Sequence, residues 1–154
     1  MFNQLLPKRI DNTYRGYTPA LWIFGLLMFI WVAMSLNSIL NGHTVASTAD
    51  GIPLDTFTPA SAQTVVSLFA LLGLSRLMIA LVGLVALVRY RAMVPLLFAL
   101  LLLEHVSRRL ILQVLPIPRA GTPPASMINL VLLALLVVGL ALSVRRHASL
   151  PAKE

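Results

Sequence analysis

The chain has no cysteine and only five acidic residues in 154. The first absence excludes disulfides, thiolate nucleophiles, cysteine-ligated metals and iron–sulfur clusters. The three histidines, His43, His105 and His147, do not repeat at metal-ligand spacing, and no two could clamp a haem across a bilayer. No Gly-rich phosphate loop and no nucleophile elbow is present. Ser107 and His105 stand about 200° apart on a helix, so they form no dyad. These absences argue against an enzyme and imply no cofactor and no metal. Charge is scarce too: 11 % of residues are charged and 58 % are hydrophobic, far from the balance of a soluble domain. The net charge of +7 has no basic stripe with interleaved aromatics, which excludes nucleic acid as a partner.

The sequence does have long apolar runs, and most basic residues flank them. Four spans are expected, over about 20–41, 62–88, 92–115 and 126–144. Each is long enough, at about 1.5 Å per residue, to cross a hydrocarbon core of about 30 Å. Alternating ten-residue segments that would suggest a barrel are missing. The first run exceeds a signal-peptide core and carries Trp22, Trp31 and Met34, so an uncleaved helix is expected there. Loops are expected over 42–61 and 116–125, with Thr58 or Ser61 capping the second span and Pro116 and Pro118 ending the third.

Residues 1–19 and 145–154 read as a basic N-terminal segment and a short tail. Arg89 and Arg91 mark the turn between spans two and three. The loop 42–61 is acidic, through Asp50 and Asp55, and the loop 116–125 holds only Arg119. By the positive-inside rule both termini face the cytoplasm. The expected fold is therefore all-α: an integral-membrane four-helix bundle, N-in and C-in, in a bacterial inner membrane. Tyr14, Tyr17 and Trp22 are expected to anchor its cytoplasmic surface.

The unusual chemistry sits in Leu100–Leu112, a leucine run broken by Glu104, His105, Ser107, Arg108 and Arg109. Charges at such depth cost from about 3 to more than 10 kcal/mol if unpaired. Arg76 stands beside the midpoint of span two and Glu104 beside that of span three. The two spans are joined by a very short turn, so an Arg76–Glu104 ion pair is expected, with Arg108 sharing the carboxylate from four residues on. Glu104, Arg108, His105 and Arg109 cover an arc of about 140°, too wide for one helix contact. That width points to a cavity or a subunit interface.

Asn37 and Asn41 on span one and Asn129 on span four match this depth, and Asp50 and Asp55 could fold over it. Gly73, Ala80 and Gly83 share a face with Arg76 and would bring a neighbouring helix close. Gly139 and Ser143 form a weaker small-residue pair on span four.

Two functions follow. The first is a non-enzymatic accessory or assembly protein, or one binding an anionic lipid or small anionic ligand, built on the Arg76, Glu104, His105, Arg108, Arg109, Asn37, Asn41 and Asn129 network. Its partners would be the bilayer and a homo-oligomer or larger membrane complex. The second is a small oligomeric transporter or channel with a proton- or anion-linked site at Glu104 and His105.

Overall fold

The computed structural model describes residues 11–145. Lys8, Arg9, Arg146 and His147 lie outside them. Among the described residues the chain is all-helical. Its long elements are α1 (Thr18–Leu40), α2 (Pro59–Arg89), α3 (Val94–Val114) and α4 (Pro124–Val144). Three of these, α1, α2 and α4, are long and apolar enough to cross a membrane. α3 has 21 residues but carries Glu104, Arg108 and Arg109, which set it apart from the other three.

Each long helix starts with proline in its first turn: Pro19, Pro59, Pro95 and Pro124. Proline fits there because the first N–H groups of a helix have no intrahelical acceptor. At α2 the start is completed by Thr58, whose hydroxyl accepts from the Ser61 N–H at 3.3 Å.

The helices pair as α1 with α2, α3 with α4, and α1 with α4. Small residues set the first pairing. Gly73, Ala80 and Gly83 form the buried stripe of α2. A Cβ at Gly73 would lie 3.1 Å from the Ser35 carbonyl oxygen, and one at Gly83 would strike Met28. The close approach lets the Ser38 hydroxyl donate to the Phe69 carbonyl at 3.0 Å. Such interhelical bonds contribute about 0.6 kcal/mol in membranes.

The main core lies where α1, α3 and α4 meet. Phe24, Leu27, Met28, Phe98 and Leu136 are fully buried there. Phe24 and Phe98 meet edge to face, with centroids 5.0 Å apart. Gly139 of α4 receives the Phe98 ring, and Ser143 is buried one turn further along.

Residues 11–17, the Tyr90 turn and the end of α4 gather at one end. The Tyr17 N–H donates to the Leu142 carbonyl at 3.2 Å, and the Ala92 N–H to the Asp11 carbonyl at 3.3 Å. Trp22 is 79 % exposed, as an anchor would be. Tyr14 differs from the expected anchor. Its ring packs on the core, and its hydroxyl is buried with no hydrogen-bond partner among the described residues. That burial pushes its pKa up to about 12.

The opposite end carries both long connections. Segment 42–58 is more ordered than a polar loop, because its apolar residues have a surface to cover. A helical turn (Gly42–Thr44), a wider π-type turn (Val45–Ala49) and a 3₁₀ turn (Leu54–Thr56) fold it back. Ala46, Ile52 and Leu54 are thereby buried against Val65, Val66 and Phe69 of α2. Gly51 supplies the φ of +70° that this path needs. Its carbonyl accepts the Ala120 N–H at 2.8 Å, clasping the two loops together.

Gly139→Ala tests the main core. The new methyl would press on a buried ring held by Phe24, so a loss of about 1–3 kcal/mol is expected. Thermal unfolding in a mild detergent reads it, and an unchanged midpoint would contradict this packing of Phe98.

Candidate functional site: a polar cavity between helices α2 and α3

Because α2 packs on α1 and α3 packs on α4, α2 and α3 hardly touch beyond their connecting turn. The gap between them is a cavity of about 250 Å³. All four long helices line it. α1 gives Trp31 and Met34, α2 gives Arg76 and Ile79, and α4 gives Asn129 and Leu132. α3 supplies Leu97, Leu100, Leu101, Glu104, His105 and Arg108. Most of the wall is apolar, with a few charged and polar groups from α2, α3 and α4, the arrangement typical of a ligand pocket.

The polar residues enter the cavity differently. His105 is 6 % exposed and lines the cavity from α3. Asn129 is half-buried one to two turns into α4. Arg76 is half-buried on the edge of the α1–α2 contact, placed there by the stripe of Gly73, Ala80 and Gly83. Glu104 and Arg108 lie on the rim and form an ion pair within α3, four residues apart, with side chains 44 % and 34 % exposed.

The expected Arg76–Glu104 pair is corrected by this arrangement. Among the described residues the ion pair is Glu104–Arg108, and no carboxylate lies within 4 Å of Arg76. Matching depth on consecutive helices is not enough to join two side chains. The helices must also pack, and the small face of α2 is turned to α1 instead. An interhelical clamp is thus not made by Glu104.

Three other residues stand apart from the cavity. Arg109 is exposed on α3, beside Leu110 and away from the lining. Asn37 and Asn41 are exposed at the end of α1 and bond each other, the Asn41 side-chain amide donating to Asn37 Oδ1 at 2.8 Å. The structure therefore brings together Arg76, Glu104, His105, Arg108 and Asn129, but not Arg109, Asn37 or Asn41. Trp31 and Met34, used in the sequence only as signs of an uncleaved first helix, prove to be the α1 wall. Their spacing of three residues on one helix face was the available signal.

Asp50 lies above this region, in the folded loop, while Asp55 is exposed. Burial raises the Asp50 pKa above its ordinary value, and Arg119 and then Arg76 pull it back. Among the described residues no group of three or more His, Asp or Glu could hold a metal ion. No protein family, curated protein or solved structure matches the chain.

The raised pKa of Asp50 makes a pH prediction. The folded state holds the proton more tightly than the unfolded chain, so stability falls as pH rises from the ordinary carboxylate value toward the folded one. Asp50→Asn should remove that slope and leave the protein more stable at neutral pH. Unfolding midpoints from pH 4 upward check this. A variant with the wild-type slope would mean the Asp50 carboxyl is not the group responsible.

Proposed function

We propose that the chain is a small, non-enzymatic four-span protein of the bacterial inner membrane that binds an anionic lipid or small anionic ligand in the cavity between α2 and α3. α3 serves as the third span of a four-helix bundle. At 21 residues it reaches about 31 Å, and Arg108 neutralises its Glu104. Both termini lie on the cytoplasmic side. Arg15, Arg89, Arg91 and Arg145 at the end bearing the termini, against Asp50, Asp55 and Arg119 at the other, support that orientation.

One observation carries the ligand reading. Arg76, close to the middle of a 31-residue apolar helix, borders a cavity and has no carboxylate within ion-pair distance among the described residues. A guanidinium at such depth is costly without a counter-charge, and a bound anion supplies one. The Arg108 guanidinium, already half-engaged by Glu104, adds donors on the facing rim. Arg109, outside the cavity, and the apolar outer faces are left for contacts in a homo-oligomer or a larger membrane complex, the assembly side of the same accessory role.

A second reading, a proton- or anion-linked transporter or channel, draws on one further fact: His105 is buried yet borders the same cavity as Glu104. It calls for pH-dependent flux into proteoliposomes that Glu104→Gln abolishes. Binding without flux leaves the accessory reading.

The ligand reading is tested by thermal unfolding in neutral detergent with phosphates and carboxylates, long- and short-chained. A ligand at about 100 times its Kd should add about 2.7 kcal/mol of stability. Arg76→Gln should lose this gain. If no anion moves the midpoint of the wild type, the proposal fails.

A further inference from the structure

We infer that the cavity takes a membrane-resident, single-chain amphiphile with a small anionic head, a phosphate or a carboxylate, and that it enters sideways between α2 and α3. The inference rests on the anion-binding reading and adds the class of ligand and its route.

The route follows from what lies at each end. Toward the termini, the cavity borders the main core through Leu101 and Leu132, which pack with the fully buried Phe24, Met28, Phe98 and Leu136. Toward the loops lie the clasp between Gly51 and Ala120 and the packing of Ala46, Ile52 and Leu54 on α2. Pro123, at the start of α4, lies against Gly51 and joins the same clasp. On the remaining side α2 and α3 diverge. Ile79 and Leu100 form the lips there, 46 % and 50 % exposed, and both are apolar. An aqueous solute would have to cross the clasped loops. A molecule already dissolved in lipid only has to pass between two aliphatic side chains.

The ligand class follows from size, depth and charge. A volume of about 250 Å³ is below the range of pockets that enclose a whole drug-sized molecule, about 300–1,000 Å³. The cavity therefore holds a head and the first part of a chain, and the rest of the tail stays in lipid. Arg76 lies ten residues, or about 15 Å, along α2 from Val66, the residue that meets Gly42 near the loop end. A bulky headgroup bound to the interface would not be drawn that far, whereas a compact anion on a single chain can slide down. Arg76 and Arg108 supply the positive charge, and the His105 and Asn129 side chains are further polar groups on the lining. The tail leaves past Ile79 and Leu100, which the hydrophobic effect favours over an exposed polar group.

The experiment uses the full chain in phosphatidylcholine nanodiscs doped with dodecyl phosphate, read by native mass spectrometry. Butyl phosphate and inorganic phosphate serve as water-soluble competitors. The expected result is one dodecyl phosphate retained per chain, lost by about tenfold or more in Arg76→Gln, as for removal of a charged hydrogen-bond partner. Arg76→Lys should keep most of the retention. Cooperative unfolding in ligand-free detergent, at a midpoint no lower than that of wild type, shows that both variants are folded. Neither competitor should displace the long-chain ligand at equal concentration. If inorganic phosphate displaces it, the anion site stands and the sideways route is overturned. If wild type and Arg76→Gln retain dodecyl phosphate equally, the anion-binding reading falls together with this inference.

Discussion

The close packing of α1 on α2 determines most of what is distinctive here. Gly73, Ala80 and Gly83 leave no side-chain bulk on one face of α2, so α1 settles against backbone, and Ser38 reaches a carbonyl across the contact. A helix can present such a face to one neighbour only. Having given it to α1, α2 has no comparable surface for α3, although a turn of a few residues joins them. α3 finds its partner in α4 through Phe98 and Gly139. The cavity is what remains between the two pairs, and Arg76 sits on its edge because it shares the small face.

Two electrostatic arrangements result. Within α3, Glu104 and Arg108 neutralise each other at helical spacing and need no tertiary support. Across the gap, Arg76 has no carboxylate within 4 Å among the described residues. Asp50, in the folded loop, feels the Arg76 charge at longer range. The site is therefore a positively charged, mostly apolar recess, not a compensated ion-pair network.

Much of this was readable from residue order. Apolar run length gave the helices, Thr58 marked the start of α2, and the stripe of Gly73, Ala80 and Gly83 gave the helix face that is in fact buried. Depth along each helix put Arg76, Glu104, Arg108 and Asn129 at comparable levels, and they do line one cavity. What residue order could not supply was which helices pack. Sequence adjacency suggested α2 against α3, and the Arg76–Glu104 pair was built on that neighbour relation. Periodicity places Arg109 on the same arc as His105, but a 140° arc spans both a wall and an outer face, and rotation about the helix axis is fixed only by tertiary contacts. The folding of 42–58 was hidden for a related reason. Ala46, Ile52 and Leu54 are too sparse to suggest structure until α2 offers Val65, Val66 and Phe69 to cover.

The pairing of helices also bears on how such a chain would be assembled in the proposed topology. On insertion scales Glu104, Arg108 and Arg109 each cost about 3 kcal/mol at a helix centre, so α3 is a poor candidate to leave the translocon alone. α4 is free of charge and packs along α3 through Gly139. The second hairpin would then enter lipid as a unit, with the apolar helix made last carrying the charged one made before it. The first hairpin, already joined by its glycine face, would be waiting as a preformed surface. The order of synthesis would thus leave the gap beside Arg76 as the last seam to form.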